Sequence, residues 1–233
     1  MVPGVAAHVV QRGVNRQLCF EGDPDYLVYL SILGQAAAKS GCAVHAYCLM
    51  TNHVHLLVTP PAELACSSLM YEVGRRYVPY FNRRHQRTGT LWEGRFRSCP
   101  VDSREYVLAC YRYIELNPVR AGMVDCPASY RWSSHRGNIG LRDDRLLSAH
   151  VEYLALADAA GSRHAGYRQF CADGESAQFL SAVRDATSTG IPLAAESFKL
   201  RLAKNGSRVK RGKPGRRAER AAHSGAIPGE LEL

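Results

Sequence analysis

No stretch of the 233-residue sequence approaches the roughly 20 consecutive apolar residues that span a bilayer, so no membrane helix and no membrane partner are expected. The opening MVPGVAAHVVQRG has neither the charged leading segment nor the long apolar run of a secretory signal, which makes the cytoplasm the expected location. Eight cysteines are present (Cys19, Cys42, Cys48, Cys66, Cys99, Cys110, Cys126 and Cys171), but none forms a C-x-x-C pair and no two lie at zinc-knuckle spacing. They read as reduced thiols that fill space. No internal repeat is visible, and 46% hydrophobic content suits a globular chain with its own core.

Acidic excess is absent as well. The net charge is +9, and residues 199–220 hold ten Lys/Arg against Glu219 alone, so the remainder is neutral in sum. Within that remainder Arg75, Arg76, Arg83, Arg84, Arg87, Arg95 and Arg97 cluster, relieved by Glu93. Arginine forks suit bidentate phosphate contacts; a solvated basic face is the plainer alternative.

The chemical centre is Ala43 to Val58, AVHAYCLMTNHVHLLV. Two apolar-rich runs flank Thr51-Asn52 and read as a strand hairpin, the second run carrying His53-Val54-His55. Successive strand side chains alternate, so both imidazoles share one face, as half a metal site would require. Two ordinary histidines on a partly exposed strand would give the same pattern.

Around this hairpin, Val5 to Arg12 reads as a first strand with His8 in its middle. Asp23-Pro24 reads as a helix start, with Asp as N-cap, for a helix that Gly41 stops. After Pro60-Pro61 a helix runs through Leu64, Leu69, Met70, Val73, Tyr77 and Phe81. The segment Arg83 to Gly94 reads as a basic loop entering a strand of roughly Leu91 to Pro100, with Trp92 as a core anchor or, beside the arginines, as a ring that stacks on unpaired bases. Asp102-Ser103-Arg104-Glu105 has the form of a capping box and opens a helix to Asn117, where Pro118 is expected to end it. On that helix Val107, Tyr111 and Ile114 form an apolar stripe, while Tyr106, Cys110, Tyr113 and Asn117 form a neighbouring one. Tyr111 and Tyr106 are expected to pack, and Glu115 to face solvent. Tyr130 to Ser134 reads as ordered packing, and Gly137 to Asp144 as a turn-rich edge. Helical patterns follow from His150 to Phe170 and from Gln178 to Thr187; beyond Lys204 periodicity is lost.

The order β-α-β-β-α-β, then a helix, predicts an α+β, ferredoxin-like (RRM-like) sandwich with a central antiparallel sheet. Residues 1–140 would form the catalytic domain, 141–198 a helical C-terminal extension and 199–233 a basic, disordered tail. In that topology the first and third strands are neighbours, so His8 can approach His53 and His55, and the later helix can bring Tyr113 and Asn117 over them. Two imidazoles, an amide oxygen and a phenol around one point suit phosphodiester transesterification. A divalent cation on His53, His55 and Asn117 would polarise the phosphate while Tyr113 attacks phosphorus. His8 or water is an alternative third ligand. The phenol, with an ordinary pKa near 10, needs help to lose its proton.

The same residues resemble a known family. AVHAYCLMTNHVHLLV, YFNRRHQRTGTLWEGRF, YRYIELNPVRAGMV and YRWSS are similar to the REP-associated tyrosine transposases, relatives of the single-tyrosine HUH transposases of small insertion sequences. The resemblance covers most of residues 5 to 140. It implies that His53 and His55 are the metal ligands, that Tyr113 is the nucleophile and that Asn117 supplies a further ligand. It also implies Mg²⁺ or Mn²⁺ as cofactor and hairpin-forming, palindromic-repeat single-stranded DNA as substrate, cleaved through a 5′-phosphotyrosine link. The expected protein is thus a transposase, monomer or homodimer, at the nucleoid when bound to DNA. One departure is Thr51, where relatives carry proline. Arg12, Arg84, Arg95 and Arg97 are the expected DNA contacts, joined by Lys210 and Arg211 of the tail, whose affinity would be sequence-independent and salt-sensitive. Two alternatives remain: a catalytically silent nucleic-acid-binding regulator with the same fold, and a metal hydrolase that uses water, with Tyr113 a bystander.

Overall fold

The computed structural model describes residues 1–102, 104–194, 198–200 and 203. Four strands, β1 (Ala7–Arg12), β2 (Ala43–Leu49), β3 (His53–Thr59) and β4 (Arg97–Pro100), form one sheet in the order β2-β3-β1-β4. Every pairing within it is antiparallel. With α1 (Asp23–Ser40) joining β1 to β2 and α2 (Ala65–Arg84) joining β3 to β4, this is the ferredoxin-like sandwich predicted from the order of elements. α1 and α2 pack on each other, with Tyr29, Tyr77 and Trp92 meeting ring to ring. Trp92 is buried, as expected of a core anchor.

Strand alternation divides the sheet chemically. On β3, Val54, Leu56 and Val58 point one way, while His53, His55 and Leu57 point the other. Register brings Arg12 opposite His53, Val10 opposite His55 and His8 opposite Leu57, so the two central strands put three histidines and an arginine on one face. That face is covered by α3 (Arg104–Glu115) and by α8 (Ala177–Thr189). Between them in sequence come α4 (Asn117–Arg120), α5 (His135–Asn138), α6 (Val151–Leu154) and α7 (Ala160–Ala172). Tyr153, Tyr167, Cys171, Val183 and Ala186, all beyond residue 140, are buried in the same core as the sheet.

Local details differ from expectation for identifiable reasons. Gly22, not Asp23, caps α1; the Asp25 carboxylate instead accepts the backbone N–H groups of Glu21 and Gly22, at 2.9 and 3.3 Å. β4 is shorter than Leu91 to Pro100 because Gly94, at φ +101°, breaks the extended path. Pro118 does not end the helical path. Leu116 stays in right-handed conformation and Pro118 takes the second position of α4, where its missing N–H costs nothing. Glu115 does not face solvent: it is fully buried. The capping box falls on Ser103 and the Glu105 side chain, and the tail residues Lys210 and Arg211 also lie outside the described residues. All eight cysteines are free, and seven are buried.

Candidate metal and tyrosine site

His53 opens β3 and is only partly buried. The neighbouring Asn52 donates its amide N–H to the Arg16 carbonyl at 3.1 Å, which turns its Oδ1 toward His53 Nδ1 at 2.7 Å. An amide oxygen can only accept, so Nδ1 carries the proton and Nε2 keeps a free lone pair. Thr51 serves the same turn through its carbonyl, which accepts from Cys19 N at 2.9 Å and Phe20 N at 3.2 Å. The absence of proline there therefore removes nothing from the site.

His55 is buried, and its Nδ1 lies 2.9 Å from His8 Nε2. The His53 and His55 ring centroids are 4.9 Å apart. Burial holds all three rings neutral: it pulls His8 down to about 3, His53 to about 4 with Arg12 adding repulsion, and His55 well below the usual imidazole range with its cationic and histidine neighbours adding to the effect. Neutral imidazoles with free lone pairs are the form that binds a cation.

Tyr113 projects from α3 over this pair, edge-on to His8 and His55 at centroid distances of 5.8 and 6.0 Å. Burial pushes its phenol above the ordinary value, while Arg120 and Arg184 pull the other way, Arg184 through a hydrogen bond. The Arg120 guanidinium lies 4.3 Å from the Tyr113 ring centroid and is held by Glu175 and by the Tyr113 carbonyl. Asn117, one turn on, donates its amide N–H to the Tyr113 and Ile114 carbonyls at 3.1 and 3.5 Å, leaving Oδ1 as the atom with ligand capacity.

A cleft of about 230 Å³ opens here, lined by Arg12, His55, Arg95, Arg97, Tyr113 and Arg184 among others. Three of the four expected DNA-contact arginines outside the tail thus line the same cleft as Tyr113. Arg84 does not join them; it pairs with the buried Asp25 at 3.3 Å. Tyr111, expected to pack, is fully buried and stacks on Tyr153. Sequence reasoning missed Arg184 and Thr187. Their spacing puts both on one side of α8, but nothing in the sequence indicates which side meets the sheet.

The ligand atoms of Glu115, His135 and Cys171 also lie within 4.8 Å of one another. There, however, both Glu115 oxygens are already occupied by hydrogen-bond donors, so the group is a closed polar network rather than a vacant cation site.

Comparison with known proteins places this geometry in context. Residues 1–117 match the family model described as IS200-like transposase. Among solved structures, the chain is similar to a REP-associated tyrosine transposase bound to a REP hairpin, at 15% identity and TM-score 0.51, over 64% of this chain and 87% of that one. It is also similar to a candidate transposase from Deinococcus radiodurans R1, at 23% identity and TM-score 0.37, over 49% of this chain and 92% of that one. No curated protein matches.

Proposed function

Because the chain belongs to the IS200-like transposase family, we propose that it is a metal-dependent endonuclease and strand transferase for single-stranded DNA, acting on hairpin-forming repeats through a 5′-phosphotyrosine intermediate. The observation that carries this reading is the approach of Tyr113 to His55, 6.0 Å between centroids, inside a cleft that also presents Arg12, Arg95, Arg97 and Arg184. The hairpin substrate rests further on the similarity to the REP-bound structure.

His53 and His55, each with Nε2 free, and the Asn117 oxygen would hold the cation, Mg²⁺ or Mn²⁺. Bound there, a divalent ion supplies Lewis-acid polarisation of a phosphate oxygen. The chain's own groups do the rest. The arginines bind the non-bridging oxygens and seat the phosphate against the phenol. The Tyr113 oxygen attacks phosphorus, a Tyr–O–P bond forms and the P–O3′ bond breaks. The phenol gives up its proton, and the released 3′ oxygen takes one up as a hydroxyl. Arg184, whose charge favours the ionised phenol and which lines the same cleft, stabilises the negative oxygen at the moment of attack. One phosphodiester replaces another, so a second hydroxyl can reverse the step and join strands without a nucleotide cofactor.

The test is incubation with a labelled single-stranded hairpin oligonucleotide and Mn²⁺, followed by denaturing electrophoresis. A protein–DNA adduct that disappears in Tyr113→Phe, with hairpin binding retained, is expected. Binding without cleavage would indicate the silent regulator. Cleavage without an adduct would indicate the hydrolase, and an adduct in Tyr113→Phe would assign the nucleophile elsewhere.

A further inference from the structure

A chain of hydrogen bonds runs from α8 through His8 to His55. The Thr187 hydroxyl has one proton, and it goes to the Val183 carbonyl 2.8 Å away. Its oxygen is therefore an acceptor toward His8 Nδ1, at 3.0 Å. A neutral imidazole has one N–H; with that proton on Nδ1, His8 Nε2 can only accept, and its partner at 2.9 Å is His55 Nδ1. The rings meet at a centroid distance of 5.1 Å with planes inclined by 14°, the disposition of two imidazoles joined edge to edge by an N–H···N bond in a shared plane. His55 Nδ1 must then carry its proton, and Nε2 is left bare.

We propose that Thr187 and His8 are positioning residues that lock His55 in the Nδ1–H tautomer, so that α8, remote in sequence from the histidine pair, sets the metal affinity of the site. The proposal rests on the assignment of His55 as a cation ligand. It also decides between two roles for His8: with one nitrogen protonated and the other occupied by His55, His8 is a support and not the third ligand. Outer-shell partners of this kind typically change metal affinity 10- to 100-fold when removed. Cys99, 3.9 Å from the Thr187 oxygen, is the neighbouring group to which a displaced hydroxyl could turn.

The test uses the full chain with Thr187→Val, which keeps the shape and removes the acceptor, and Thr187→Ser, which restores it. Mn²⁺ binding is read by loss of the free-ion EPR signal, and the His55 tautomer by long-range ¹H–¹⁵N correlation on histidine-labelled protein. The expected outcome is an Nδ1–H His55 in the wild type, a mixed tautomer and 10- to 100-fold weaker Mn²⁺ binding in Thr187→Val, and recovery to within a few-fold in Thr187→Ser. A Thr187→Val protein with wild-type Mn²⁺ affinity, or a wild-type His55 protonated on Nε2, overturns the proposal. If the wild type bound no Mn²⁺, the ligand assignment would fail separately, and the tautomer spectra would still decide the relay: a Thr187-dependent Nδ1–H supports it, and an unchanged spectrum refutes it.

Discussion

Glu115 accepts hydrogen bonds from Ser134 Oγ at 2.5 Å, Asn138 Nδ2 at 2.6 Å, His135 Nδ1 at 2.9 Å and the Tyr167 hydroxyl at 2.9 Å. All five groups are buried, so this carboxylate fastens α5 and α7 to the helix that carries Tyr113. Removing one partner from such a network strands the others without water. Glu115→Ala is therefore expected to cost about 3–5 kcal/mol of stability, read as a lowered urea midpoint; a loss under about 1 kcal/mol would show the network to be incidental. The same residue marks where sequence reading fails. Its four partners lie 19 to 52 positions downstream, and helical periodicity assigns a polar position to solvent when its donors sit on elements that the period cannot see. Tyr113 and the two histidines were legible because their relation is local on each side: two apart on a strand, and one turn from Asn117 on a helix.

At the scale of elements, strand order and helix placement followed from hydrophobic pattern and turn residues, whereas irregularities within elements did not. β2 is an example. Its register against β3 slips between Val44 and Ala46, leaving His45 as the extra residue of a bulge. The ring is buried against α3 and the segment after α5, with Nδ1 2.6 Å from the Ser148 carbonyl and Nε2 2.8 Å from Thr59 Oγ1. His150 packs edge-on at 4.9 Å and Tyr111 lies at 6.3 Å. Burial pulls His45 down to about 4, against the raising influence of the Ser148 carbonyl and with repulsion from His150 assisting. The unfolded chain, with its histidine near 6.5, therefore binds a proton that the folded chain refuses between pH 6.5 and about 4. The stabilisation is complete above pH 6.5 and is lost as pH falls through this window, at up to about 1.4 kcal/mol per pH unit. His45→Gln, which keeps a donor for Ser148, should lose about 2 kcal/mol less than the wild type between pH 7 and pH 5. Urea titrations at the two pH values measure the difference, and parallel losses would exclude His45 as a source.

For the whole molecule, the decisive quantity is where positive charge sits. Arg12, Arg95, Arg97 and Arg184 line the same folded cleft as Tyr113, and on the proposed function they would grip the phosphate under attack. Residues 204–233 carry eight Lys/Arg against three Glu and were legible from composition alone, because a charge count needs no fold. Phosphate contacts position a nucleic acid but carry no base information. Each contact to a single strand contributes about 0.7 to the slope of log affinity against log salt. If the tail acts in this way, a chain truncated after Ala203 should bind a hairpin oligonucleotide and a scrambled single strand more weakly by the same factor at low salt. The truncated and full-length curves should converge as salt rises, with the ratio of hairpin to scrambled affinity unchanged. Fluorescence anisotropy across a salt series measures both. A loss confined to the hairpin would instead give the tail a part in recognition, and no loss at all would make it a solubilising appendage.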